Sequence, residues 1–230
     1  IRVLKEPTQF GQLYDVDARL RPDGSKGSLV VSDVRLIEYY LNDAQAWERL
    51  ALVKLRAVGG DAEFAARVEE QARELAFTLP LTRENLDTIE DIRAKLAASS
   101  PQLSLKKSEG GLAEIEFAVR LLQIKHARKK PDVAQRDVLG ALDALPRAGA
   151  ISDADATTLR ETYLLFRRIE NRLRVQQGRS PSLLPESAQE RDRLARRLGI
   201  DGDILILVND AKDAAHRIYT SVLEGLATGE

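Results

Sequence analysis

Asp15, Asp17, Arg19 and Arg21 occupy alternate positions of the run YDVDARLRPDGSKGSLVVS, residues 14–32. In extended chain successive side chains point to opposite faces, so these four charges share one face while Tyr14, Val16, Ala18 and Leu20 share the other. Closely set carboxylates hold Mg²⁺ through oxygen ligands, and flanking arginines grip phosphate bidentately. The spacing thus points to a metal and phosphate site; the plainer alternative is the solvated face of a half-buried strand. Pro22, Gly24 and Gly27 supply turn residues, and Ser28–Val31 are expected to return as a second strand.

Further along, three features have the chemistry of a site. The run KKSEGG, Lys106 to Gly111, precedes a helix and offers backbone N–H groups and Lys107 to a phosphate, or serves as a loop and cap. Glu114 lies on the apolar arc of its helix, with Lys125 as its polar neighbour on the wheel. Glu170 falls between Tyr163 and Phe166 within an apolar stripe, in helical reach of Arg167 and Arg174. A buried carboxylate is costly unless paired, so each meets a cation or lines a cleft. Glu116, Arg120 and Gln123 form a polar stripe that reads as a solvated face with an i, i+4 ion pair. His126 and His216 have no acidic or histidine partner at ligand spacing.

The elements that position these residues change character near residue 60. Before it come a helix end at residues 1–8, strands at 12–20 and 28–32, a helix through VRLIEYYL capped by Ser32 or Asp33, and a helical AQAWERLALVKLRAV ending at Gly59-Gly60. After it, seven successive stretches carry helical periodicity. The expected fold is α+β and mainly α, with residues 1–60 as one unit and 61–230 as an all-helical bundle. The loop at 99–110 is expected to be the most mobile segment.

Composition narrows the function classes. A net charge of −1 over 230 residues argues against a general nucleic-acid binder. No apolar run approaches 18 residues and no signal-peptide pattern is present, which favours the cytoplasm over membrane or export. Zero cysteines exclude disulfides and thiolate metal sites, and two histidines make a histidine-based zinc site a poor fit. The chain opens on Ile1 inside a helical run and contains no methionine, so it reads as a piece of a longer protein.

Together, YDVDARLRPDGSKGSLVVS, WERLALVKLRAV, GGLAEIEFAVRLLQIKHA, RRIENRLRVQQGR and LARRLGI resemble, in order, the glutamine synthetase adenylyltransferase family. The resemblance spans nearly the whole chain. That bifunctional family carries two nucleotidyltransferase halves, each followed by a helical domain, and its palm resembles those of DNA polymerase beta-like nucleotidyltransferases. It implies that residues 1–60 are the end of a palm and that Asp17, in VDARLRP, matches the palm's third metal-binding carboxylate. The family's upstream Gly-Ser turn and aspartate pair have no match here, so the chain holds one of three expected metal carboxylates.

The resemblance further implies AMP transfer from ATP to a tyrosine of glutamine synthetase, with Mg²⁺ as cofactor and PII signal protein and glutamine as regulators. Asp17 would hold metal, Asp15 would sit beside it, and Arg19 and Arg21 would order the strand or meet phosphate. The wording LYDVDARLRP favours the adenylylating, C-terminal half. The deadenylylating half and a non-catalytic docking module for glutamine synthetase or PII remain the alternatives.

Overall fold

Ser32 caps a helix. Its Oγ accepts from Arg35 N at 3.1 Å, as an N-cap does, and opens α1 (Asp33–Asn42). In the computed structural model, which describes residues 4, 6–9, 11, 16–18, 20–78, 80–177 and 182–228, eight further helices follow among the described residues. They are α2 (Ala46–Leu52), α3 (Ala62–Thr78), α4 (Arg83–Ala98), α5 (Leu112–His126), α6 (Val138–Arg147), α7 (Asp153–Gln177), α8 (Ala188–Leu198) and α9 (Ile204–Thr228). Thus each of the seven stretches of helical periodicity after residue 60 contains a helix.

No strand forms among the described residues. Ser28–Val31, expected to return as a second strand, is irregular and bent, and Val16–Ala18 carries no ladder either. A two-stranded ribbon is marginal without a third strand or a helix on its apolar face. Val30 and Leu29 accordingly stay 85% and 62% exposed. The remainder of the expected first strand includes residues 12–15 and 19, which lie outside the described residues, as does most of the helix end expected at 1–8.

Two other expectations change in detail. α2 stops at Leu52 instead of continuing to Val58. Lys54 N and Leu55 N bond back only three residues, to Ala51 O and Leu52 O, which tightens and ends the helix. The carboxylate of Glu69 on α3 then takes Ala57 N at 2.6 Å. The 99–110 segment, expected to be mobile, is tied down: Leu105 is fully buried, Leu105 N donates to Ser182 O at 2.6 Å, and Leu184 N donates to Leu103 O at 2.9 Å.

α5 lies at the centre. Ala118, Leu121 and Ile124 face a cluster containing Tyr39, Tyr40, Leu50, Ala72 and Ile89 from α1 to α4. Ile115, Val119 and Leu122 face a second with Leu142, Leu145 and Leu159 from α6 and α7. Leu112 enters a third with Phe166, Ile169, Leu194 and Val208 from α7 to α9. A helix apolar on so many sides has no solvated face. α9 closes the assembly, packing on α4, α5, α7 and α8.

Candidate functional site

Asp17 and Arg21 flank a turn built by the proline and glycines that follow. Gly24–Lys26 forms one turn of 3₁₀ helix, with Asp23 at φ 61° before it. Arg21 staples this turn: Nη1 donates to Ala18 O at 2.5 Å, Nε to Gly27 O at 3.1 Å and Nη2 to Ser25 O at 3.4 Å. A side chain at Gly27 would overlap the carbonyl of the buried Pro22. Asp23 is tethered to α1 through Arg35 at 3.3 Å.

An open cleft of about 400 Å³ is lined by Asp17, Ala18, Leu20, Arg21 and Leu29. Asp17 is exposed there. Asp15 and Arg19 fall outside the described residues. Among the described residues no group of three or more acidic, histidine or cysteine side chains could hold a metal ion. The described lining of this cleft therefore offers one carboxylate, Asp17, with the Arg21 guanidinium already committed to backbone carbonyls.

Lys107, Glu114 and Glu170 do not line this cleft. Lys107 is exposed, and its backbone N–H donates to Ser104 Oγ at 3.1 Å. The N–H groups that a phosphate on Lys106–Gly111 would need are taken internally. Gly110 N goes to Glu114 Oε2, Gly111 N to Ser108 O, Leu112 N to Leu105 O and Ala113 N to Lys106 O, at 2.7–3.0 Å. The segment acts as a closed cap on α5.

Glu114 is 2% exposed and is the centre of a polar cluster joining three helices. Arg93 Nη1 of α4 donates to Oε1 at 2.8 Å, and His216 Nδ1 of α9 lies 3.0 Å from Oε2. Arg93 also pairs with Glu90 and, at 3.5 Å, with Glu109, and Tyr219 donates to Glu90 Oε2 at 2.7 Å. Burial opposes the Arg93 charge, but hydrogen bonds to Glu90 and the fields of Glu114 and Glu90 outweigh it and raise its pKa above the ordinary arginine value. Gly110, at φ +66°, lets α9 approach: a Cβ there would overlap the Lys212 carbonyl. His216, for which the sequence offered no acidic partner, thus finds one 102 residues away.

Glu170 is 6% exposed, accepting from Arg167 Nη1 at 3.0 Å and from Ser182 Oγ at 2.7 Å. Arg167 continues to Glu116 at 3.2 Å, and Glu116 to Lys54 at 2.5 Å. Arg120 and Gln123, expected on a solvated face with Glu116, are instead 2% and 0% exposed. Arg120 Nη1 donates to Gln123 Oε1 at 2.6 Å, its Nη2 to Arg136 O at 2.8 Å, and Gln123 Nε2 to Val133 O and Gln135 O at 2.5 and 2.8 Å. Burial lowers the Arg120 pKa, the field of Glu116 opposing it. The stripe is a clamp for the loop that returns after α5.

Residues 1–71 match the family model described as glutamate-ammonia ligase adenylyltransferase, and residues 62–222 match that described as GlnD PII-uridylyltransferase. The chain is similar to the bifunctional glutamine synthetase adenylyltransferase/adenylyl-removing enzyme of Stenotrophomonas maltophilia (strain R551-3). The two are 36% identical over 202 residues, covering 86% of this chain and 22% of the relative. The enzyme of the same description from Streptomyces coelicolor is 34% identical over 207 residues, 88% of this chain and 21% of the relative. That from Xanthomonas axonopodis pv. citri is 33% identical over 202 residues, 86% and 22%. The chain spans about a fifth of the length of the curated relatives it matches.

Proposed function

The chain belongs to the glutamine synthetase adenylyltransferase family, and from that premise we propose that it serves AMP transfer from ATP to a tyrosine of glutamine synthetase, as part of the adenylylating half. The observation that carries this reading is the match of residues 1–71 to the adenylyltransferase model, which takes in the turn where Asp17 is exposed at a cleft. One carboxylate suits Mg²⁺, which keeps several waters and takes one or two protein carboxylates together with substrate phosphates. When bound, the metal supplies neutralisation of charge on the phosphoryl oxygens.

The chain's own residues divide the remaining work. Asp17 presents carboxylate oxygen to the cleft. Arg21 positions it by fixing the turn, since its N–H groups point at the carbonyls of residues 18, 25 and 27. Arg19 is assigned to phosphate and Asp15 to a lesser role beside Asp17. PII and glutamine act as regulators, and the cytoplasm is the place of action; no described helix is long and apolar enough to cross a membrane.

A second reading is favoured by the names of the relatives, which join the transferase to an adenylyl-removing enzyme. In that half, phosphate attacks the phosphorus of AMP–tyrosine, the tyrosine oxygen leaves and takes up a proton, and ADP is the product. The test uses the full-length protein with Asp17→Asn, measuring AMP incorporation into glutamine synthetase and phosphate-dependent removal from it. We expect incorporation to fall on the order of 10²-fold, about 3 kcal/mol in the chemical step. Loss of removal alone would assign the chain to the other half. Unchanged rates in both directions on folded protein would overturn the metal-site reading.

A further inference from the structure

A cleft of about 480 Å³ opens where the last turn of α5, the start of α7 and the face of α9 meet. Its walls include Leu122, Ile218, Val222 and Leu226, and its polar lining includes Lys125, His126, Arg217, Ser221 and Asp155. This cleft shares no residue with the one beside Asp17. Among the described residues, neither Lys125 nor Arg217 makes an ion pair or a side-chain hydrogen bond, and the Ser221 hydroxyl is likewise uncommitted. Asp155 is engaged at the first turn of α7, accepting from Ser152 Oγ at 2.7 Å.

Cations at a helix C-terminus are ordinary, because they complement the carbonyl end of the dipole. Here they exceed that need. Lys125, His126, Arg128, Lys129 and Lys130 fall within six positions, and the carbonyls of Gln123 and His126 already accept backbone N–H groups from residues 127, 129 and 130. Burial, then Lys125 and Lys129, hold the His126 pKa below its ordinary value, with no carboxylate among the causes. Arg217 arrives from a different helix and adds to the same field. The cleft volume lies in the range of small-molecule sites, which combine an apolar body with a few converging polar groups.

We infer that this cleft binds a small organic phosphate of the nucleoside phosphate class, with Lys125 and Arg217 holding the phosphate, Ser221 adding a hydroxyl, and the Leu122–Ile218–Val222–Leu226 wall taking the base. A phosphate offers several acceptor oxygens at once, which suits a guanidinium fork and an ammonium converging from two helices. The site stands independently of the Asp17 reading, since it uses none of those residues.

The test is a ¹⁵N chemical-shift titration of the chain with ADP in magnesium-free buffer, beside inorganic phosphate and adenosine. Saturable shifts at residues 125, 217 and 221 with ADP, and weaker ones with either component alone, are the expected result. Lys125→Gln with Arg217→Gln should weaken ADP binding, read from the shifts at residue 221, about tenfold or more. The spectrum of each variant reports its folding; Arg217→Gln alone, at an exposed position, serves if the pair disturbs it. Absence of shifts at these residues up to millimolar ADP, shifts confined to residues 16–27, or undiminished binding by the folded variant would overturn the inference. Adenosine binding as well as ADP would overturn it too, because the cations would then contribute nothing.

Discussion

Arg93 on α4 and Glu114 on α5 form a buried ion pair, 2.8 Å between Nη1 and Oε1, and α9 brings His216 to the other oxygen of the same carboxylate. Charges so placed lose hydration and are held by partners instead, so breaking the pair costs far more than a surface bridge would. Arg93→Met leaves Glu114 and Glu90 without their guanidinium and should cost on the order of 3 kcal/mol or more. Glu114→Gln should be milder, because Arg93 keeps Glu90. Urea unfolding of both single variants and the double variant gives the coupling, expected at roughly 1–3 kcal/mol. Additive effects would show that the pair contributes nothing beyond its separate members.

Gly110 and Gly149 separate two kinds of glycine requirement. Both have positive φ, +66° and +71°, but only Gly110 faces backbone, the Lys212 carbonyl, while nothing lies within 4 Å of a Cβ at Gly149. Gly149→Ala should therefore cost about 1–2 kcal/mol of left-handed strain alone. Gly110→Ala must also push α9 away and should cost clearly more, read as the difference in urea midpoint.

Gln123→Leu tests the clamp on the returning loop. The substitution keeps the side chain buried but removes the amide N–H shared by the Val133 and Gln135 carbonyls and one acceptor of Arg120, which keeps the carbonyls of Gln135 and Arg136. Each lost hydrogen bond costs about 0.5–1.5 kcal/mol, so a loss of roughly 1–3 kcal/mol is expected. A near-neutral result would mean that the loop finds other donors.

Alkaline stability should depend on Tyr219. Burial, then its hydrogen bond to Glu90, raises the Tyr219 pKa far above the ordinary value. The unfolded chain releases the phenol proton near pH 10 while the folded chain keeps it, so this contribution is present below about pH 10 and lost as pH rises beyond it. Urea midpoints of the wild type should fall from about pH 10 upward, and more gently in Tyr219→Phe. Tyr39 and Tyr40, pushed up to about 12 chiefly by burial, leave a residual slope in that variant.

The helices were legible in the sequence because periodicity is local: α3 to α9 lie where the apolar repeats place them. The partners were not. A helical wheel correctly puts Glu114 among apolar residues, but Arg93 and His216 are 21 and 102 positions away and carry no signature of the meeting. Arg120 and Gln123 read as solvated because a wheel knows nothing of a loop that folds back over it; the cue present was the short connection to the next helix. The expected second strand, Ser28–Val31, failed for a related reason. Alternation specifies which face of a strand is apolar, yet Leu29 and Val30 find nothing to pack on.

Gly110 and the Lys212 carbonyl set an order of events during synthesis. The helices that carry Arg93 and Glu114 leave the ribosome long before α9, and His216 follows Glu114 by 102 residues. At translation speeds of 5–20 residues per second, that separation lasts roughly 5–20 s. For that interval the nascent chain holds an acid-rich seam and an apolar face of α5 with no α9 to cover them. A ribosome stalled shortly before residue 204 would present this unsealed surface to chaperones and proteases, and emergence of α9 would withdraw it.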